Sequence, residues 1–264
     1  MYSDKIELDK FYTKPEIVDM CLTHIDFSRY DFVIEPSAGN GSFYNKVTHP
    51  NKIGLDLAPE HPDITEQNWF DYQIDFSHEN VLVIGNPPFG KRNLLSKQFI
   101  QHALSFYNVS TVAFVLPNVY MKYTNQKIIH SRYRISHIIP LPRNSFTIDN
   151  KEYHVPCSFF VFDKSQGEDL RFDVDLYKTC PDFEFTDAND YDFFVMGAAP
   201  NTIKDAPTVN NRGYYVKSFI ELTELEHRFR TMEWDSFSSC NGGVAWRTKP
   251  ELIKCYMDKK HKYS

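Results

Sequence analysis

The sequence predicts an α/β protein: a doubly wound, mostly parallel sheet, followed by a small C-terminal α+β appendage. Three observations carry this expectation. Short apolar runs rich in β-branched and aromatic residues alternate with helix-period stretches as far as about residue 163. Several of these runs end in glycine, acidic or proline-containing loops, where open α/β sheets place their ligands. From about Asp163 the composition turns to Asp, Phe and Tyr, behind the linker-like Asp163-Lys164-Ser165-Gln166-Gly167-Glu168. The expected division is therefore 1–163 and 164–264.

The elements follow in order. Thr13-Lys14-Pro15-Glu16 has the S/T-x-x-E form of a capping box with proline in the first turn, so a helix is expected to start there. Ile17, Cys21, His24 and Ile25 continue it at helical spacing. Strands are expected at Phe32–Ile34, Lys52–Leu55, Val81–Ile84, Thr111–Leu116, Ile135–Ile139 and Ser158–Phe162. Leu95, Phe99, Ala103 and Phe106 recur as one face of a helix. In the second region, Phe193-Phe194-Val195-Met196 and Tyr214-Tyr215-Val216 read as strands, and Phe219, Leu222, Leu225 and Phe229 as a helical core stripe. Thr248-Lys249-Pro250-Glu251 repeats the first tetrapeptide and predicts a last helix with a basic end.

Bulk properties narrow the class. The chain has 264 residues, is 42% hydrophobic and carries a formal charge of −6. No apolar run is long enough to span a membrane, and Met1-Tyr2-Ser3-Asp4-Lys5 is no signal peptide. The five cysteines (21, 157, 180, 240, 255) show no C-x-x-C spacing. They speak against a disulfide framework and a zinc site, and suit a reducing, cytoplasmic or other intracellular compartment. Residues 1–90 are strongly acidic. Lys122, Lys127, Arg132, Arg134, Arg143 and Lys151 face only Asp149 within 117–151, and a second basic stretch covers 247–262. Such local concentration is what a phosphate-binding surface requires, although solvated helix faces read the same way. Lys122, Lys127, Arg132 and Arg134 are the expected phosphate contacts.

The chemistry concentrates at strand ends. Asn86-Pro87-Pro88-Phe89 follows the run Val81-Leu82-Val83-Ile84. The Asn86 side-chain carbonyl and the Pro87 backbone carbonyl can accept both hydrogens of a planar NH₂, while Phe89 stacks on the ring that bears it. That amine is a poor nucleophile because its lone pair is delocalised, and hydrogen bonds that favour the localised form favour attack on a methyl donor. Upstream, Ile34-Glu35-Pro36-Ser37-Ala38-Gly39-Asn40-Gly41-Ser42-Phe43 places an acid before a Gly-x-Gly turn. The third glycine of a dinucleotide fingerprint is missing, which disfavours a nicotinamide-dependent oxidoreductase and suits a cationic ligand without phosphates. Gly54-Leu55-Asp56 offers a carboxylate for ribose hydroxyls, and Asn68-Trp69-Phe70-Asp71-Tyr72 offers an aromatic and an acid for an adenine.

In this order the motifs resemble those of class I S-adenosylmethionine-dependent adenine-N6 methyltransferases, most closely the gamma-type DNA enzymes. The resemblance covers residues 10–163, with Phe11-Tyr12-Thr13-Lys14-Pro15-Glu16-Ile17-Val18 similar to the segment that closes over the cofactor's methionine part. It implies a Rossmann-like fold and S-adenosylmethionine as cofactor, with Tyr12, Thr13, Pro15, Glu35, Ser37, Gly39, Gly41, Asp56, Leu57, Phe70, Asp71 and Asn86 around it. It implies Asn86, Pro87, Pro88 and Phe89 as the catalytic motif acting on a flipped base, and Phe146 as a second aromatic against that base. DNA is the favoured polymer. RNA adenine, guanine N2, a protein glutamine amide and a catalytically silent nucleic-acid-binding subunit stay open, since each would keep the same motif shape.

Overall fold

The computed structural model of the protein describes residues 11–75, 77–148, 151–234 and 246–262. The readings placed on Met1–Lys5, Asp149 and Cys240 lie outside the described residues. The chain divides into two compact units: Met1–Tyr120 with Thr124–Arg171, and Met121–Tyr123 with Phe172–Ser264.

The first unit is built on seven strands. In chain order they are β2 (Phe32–Glu35), β3 (Lys52–Asp56), β4 (Ile64–Glu66), β5 (Val81–Gly85), β6 (Val109–Pro117), β7 (Arg134–Pro140) and β10 (Cys157–Asp163). Their order across the sheet is β4-β3-β2-β5-β6-β10-β7. The pairs among β4, β3, β2, β5 and β6 are parallel, and β10 runs antiparallel to both of its neighbours. The order reverses between β2 and β5, so the crevice at their carboxyl ends is the topological switch point. All five residues of β5 and all seven of β10 are buried, which is why Val81–Ile84 and Phe159–Phe162 read as continuous apolar runs rather than alternating ones. Helix α1 (Pro15–Leu22) buries Ile17, Val18 and Cys21, and α2 (Leu94–Ser105) buries Phe99, Ile100, Ala103 and Leu104.

A three-stranded antiparallel sheet joins β1 (Tyr12–Thr13), β8 (Phe146–Ile148) and β9 (Lys151–Tyr153). Thr13 pairs with Phe146, and Phe146 with Tyr153. Helix α1 therefore starts one residue later than its capping-box spelling implies. Lys14 is the N-cap, and the Thr13 hydroxyl makes no cap. At the second copy of the tetrapeptide one half of the box operates, while the Thr248 hydroxyl makes no cap. Thr248 is the N-cap, and its N–H donates to Glu251 at 2.7 Å.

The linker-like segment after Asp163 is closed onto the first unit. Arg134 donates from Nε to the Ser165 carbonyl at 2.9 Å and from Nη1 to the Glu168 carbonyl at 2.7 Å. The Ile135 N–H donates to Asp169 at 3.0 Å, and the Leu170 N–H to the Ile135 carbonyl at 2.9 Å. The boundary between the units accordingly falls after Arg171.

The second unit is a four-stranded antiparallel sheet with two helices. Its strands are β11 (Phe183–Thr186), β12 (Phe193–Met196), β13 (Ile203–Lys204) and β14 (Gly213–Ser218), in the order β11-β14-β12-β13. Its helices are α4 (Leu222–Thr231) and α5 (Lys249–Lys259), whereas the single-turn α3 (Tyr123–Gln126) belongs to the first unit from Thr124 on. Leu225 and Phe229 of the expected stripe are core, whereas Phe219 and Leu222 are exposed. The basic C-terminal stretch is largely consumed inside this unit. Arg247 donates to the Ala198 and Trp234 carbonyls, Lys254 pairs with Asp258, Lys259 donates to the Glu233 carbonyl, and Lys260 pairs with Asp182.

Among the described residues, no helix is long and apolar enough to cross a membrane. No group of three or more His, Cys, Asp or Glu among them stands close enough together to hold a metal ion.

Candidate active site

The loops that leave β2, β3 and β5 at their carboxyl ends enclose a cleft of about 900 Å³, counting its open mouth. Its wall includes Tyr12, Thr13, Glu35, Ser37, Gly39, Asp56, Leu57, Phe70, Asn86 and Pro88. These come from five separate segments, and only the sheet brings them together.

Glu35 ends β2 and is 4% exposed. Its Oε2 has no hydrogen-bond partner. Burial pushes its carboxyl well above the ordinary carboxylate range. A backbone hydrogen bond from Tyr44 pulls the other way, Asp56 adds to the rise, and Lys52 opposes it. A buried acid with an unused oxygen is stabilised in its charged form by a cation or a strong donor.

The Gly-x-Gly turn is held against β3. Gly39 has φ +52°, and its N–H donates to Asp56 Oδ2 at 2.8 Å. A side chain at Gly39 would start 3.1 Å from the Tyr12 ring. Asp56 Oδ1 accepts the Ala58 N–H at 2.8 Å, so each carboxylate oxygen holds one backbone donor and keeps a lone pair for a ligand. Leu57, beside it, is 65% exposed and offers an apolar face.

Asn86 follows β5. Its Nδ2 donates to the Phe11 carbonyl at 2.9 Å, which fixes the amide plane, and its Oδ1 is buried without a partner. The Asn86 carbonyl in turn accepts from Ser37 Oγ at 3.3 Å. Two further unpartnered polar atoms belong to residues of the same wall, Thr13 Oγ1 and Trp69 Nε1. Buried polar atoms without partners are rare, so four around one cleft mark a place shaped for a polar ligand.

Several expected residues lie elsewhere. Asp71 is exposed and outside the cleft wall, because Asn68 caps the turn and donates to the Asp71 carboxylate at 2.9 Å. Pro15 and Gly41 shape the backbone near the cleft without lining it, and Pro87 is buried beneath it. Phe89 is 8% exposed, and the Phe11 ring stacks beside it at 6.4 Å between centroids. Its face is thus covered rather than open. Phe146 is fully buried in the core of the first unit, so it presents no ring to a base. Arg132 and Arg134 sit at the amino end of β7, which runs parallel to β6, and so at the sheet edge away from the cleft. Arg134 is also paired with Asp163. Lys122 donates to the Trp246 carbonyl at 3.4 Å, and Lys127 is exposed just beyond α3.

No family model and no curated protein matches the chain by sequence. Solved structures do match. A chain of a type I R-M system covers 59% of this protein at 14% identity, with a TM-score of 0.43. The 23S rRNA methyltransferase ErmE covers 60% at 13% identity, with a TM-score of 0.43. Magnesium protoporphyrin IX methyltransferase from Synechocystis PCC 6803, with bound SAM, covers 57% at 10% identity, with a TM-score of 0.37. This chain spans 42% of the length of the first, 71% of the second and 77% of the third.

Sequence reasoning missed Asn68, Trp69, Leu95 and Phe99 as wall residues. Leu95 and Phe99 carried a usable signal, since they open the helical face that starts six residues after Phe89. Trp69 is 2% exposed and packs edge-on against His102, a contact no local pattern announces.

Proposed function

We propose that this protein transfers a methyl group from S-adenosylmethionine to the exocyclic N6 amine of adenine in DNA. The observation that carries the reading is the Asn86 Oδ1 atom, buried and unpartnered beside the same cleft as the unpartnered Glu35 Oε2. One atom needs a donor such as a ring NH₂, and the other favours a cationic ligand.

The wall fits the cofactor piece by piece. Glu35 suits its positively charged methionine end. Asp56 keeps a lone pair on each oxygen for ribose hydroxyls, and the Gly39 turn, without a side chain, lets the backbone approach. Leu57 and Phe70 offer apolar faces to its adenine. S-adenosylmethionine bound there supplies a methyl group on a positively charged sulfur, already activated for transfer. The protein's part is placement and polarisation. Asn86 Oδ1 accepts a hydrogen from the target amine, and the tie to the Phe11 carbonyl keeps that acceptor in one orientation. The buried Pro87 stiffens the turn that aims it. The motif contains no side-chain base, and orientation alone can account for a large share of such a rate. A base reaches the Phe89 face when the Phe11 ring gives up its place. The preference for DNA rests on the gamma-type order of the motifs.

The test is incubation with methyl-labelled cofactor and separate DNA and RNA pools, then mass analysis of the nucleosides. Labelled N6-methyldeoxyadenosine is expected. Label in RNA alone would move the reading to RNA adenine, and cofactor binding with no label in either pool would leave a silent nucleic-acid-binding subunit.

A further inference from the structure

The loop that follows the Asn-Pro-Pro-Phe motif is built to project, and the function above does not use it. Gly90, Arg92 and Asn93 all have positive φ, at 67°, 56° and 60°. Two of the three are not glycine, and each such residue costs on the order of 1 kcal/mol or more, so the surroundings must enforce the shape. The enforcement is visible. The Asn93 N–H donates to the Gly90 carbonyl at 3.1 Å, and the Ser96 N–H to the Phe89 carbonyl at 3.3 Å. The Asn93 carbonyl accepts from Ser96 Oγ at 3.1 Å and from Tyr120 Oη at 3.4 Å, and these two hydroxyls are 2.8 Å apart and buried.

This anchored loop presents two cationic side chains and one apolar side chain to solvent. Lys91 and Arg92 are exposed, and among the described residues neither has an ion pair. Leu94, the first residue of α2, is 60% exposed, while its neighbour Leu95 lines the cleft. The charge context makes these two cations count. The chain before them is strongly acidic and repels phosphate, Arg132 and Arg134 lie at the far edge of the sheet, and the C-terminal basic residues are mostly engaged internally. Arg92 is three residues from Phe89, so its Cα lies within about 11 Å of that residue's.

We infer that Gly90–Leu94 is the surface that grips the nucleic-acid strand beside the target base, Lys91 and Arg92 on the flanking phosphates and Leu94 against the neighbouring base or the gap left by the extruded one. This rests on the proposed function and adds the contact that would bring a phosphodiester strand to Asn86.

The test is equilibrium binding of mixed-sequence duplex DNA and single-stranded RNA across a salt series. It compares the wild type, K91E/R92E and, as a remote control, R132E. Cofactor binding is followed in parallel by calorimetry. The expected result is at least about tenfold weaker binding for K91E/R92E and a salt slope shallower by about 2, with cofactor affinity unchanged and R132E like the wild type. Whichever polymer shows the loss is the one gripped. Wild-type binding and slope in K91E/R92E would overturn this inference while methylation by the wild type leaves the function standing. A wild type that binds and methylates neither polymer would remove both.

Discussion

Asn86 donates from Nδ2 to the Phe11 carbonyl at 2.9 Å, and this one bond joins the strand-end motif to the segment that forms the opposite wall of the cleft. The asparagine is needed for both ends of its amide. Asn86→Ala removes the acceptor and should cut single-turnover methyl transfer by about 10²–10³-fold, the usual cost of one polarising group. Asn86→Asp keeps the acceptor but loses the donor and sets a carboxylate against the Phe11 carbonyl. It should fail to restore the rate, and restoration would show that the tether is dispensable.

The six longer strands were legible because strands buried in a sheet write themselves as apolar runs, and the runs of β2, β3 and β5 end where the cleft-facing loops begin. Strands β1, β8 and β9 were not, because two or three residues carry no period. That omission decided Phe146. An Asn-Ser-Phe segment looks like a loop, yet pairing with Thr13 and Tyr153 turns its ring into the core. Arg134 failed for a different reason, since its neutralising partner Asp163 lies 29 residues away and is joined only across β7 and β10.

Glu35 should make cofactor binding pH-dependent. Burial raises its folded-state pKa, so between the ordinary carboxylate value and that raised value the folded protein holds a proton that the unfolded chain has lost. Stability from this group is therefore greatest in acid and declines as pH rises through the window. A cationic ligand favours the ionised form, so binding should release a proton there and tighten with pH. Calorimetry in buffers of different ionisation enthalpy measures that release. Glu35→Gln should abolish it, weaken cofactor binding and raise the melting temperature of the ligand-free protein at neutral pH. A lower melting temperature would contradict the assigned cost of burial.

Asn68 rather than Asp71 matters for the cleft wall, because it caps the turn that carries Phe70. Asn68 accepts the Phe70 N–H and holds the turn that puts Phe70 in the cleft wall, whereas Asp71 points to solvent. Asn68→Ala should cost about 1 kcal/mol of stability and loosen cofactor binding through Phe70. Asp71→Ala should stay within about 0.5 kcal/mol and leave affinity near wild type. Denaturant unfolding and calorimetry on both variants read this directly, and a large affinity loss in Asp71→Ala alone would return that acid to the site.

Phe146 and Phe11 separate a core ring from a ring that competes with the substrate. Phe146 is fully buried, so Phe146→Ala should lose about 3–5 kcal/mol of folding stability, and Phe146→Leu should keep the fold with nearly normal methyl transfer. Phe11 is only partly buried and packs between Phe89 and Tyr153, at 6.4 and 5.1 Å. An aromatic pair of this kind is worth about 0.5–1.5 kcal/mol, and a base must displace it to gain its own stacking of about 1–3 kcal/mol on Phe89. Phe11→Ala removes the competitor while its backbone carbonyl still orients Asn86. The KM for nucleic acid should therefore fall by about 2–10-fold with kcat largely kept. A rise in KM would instead make Phe11 part of the base's binding face, and the covered face of Phe89 would then be one side of a sandwich rather than a blocked one.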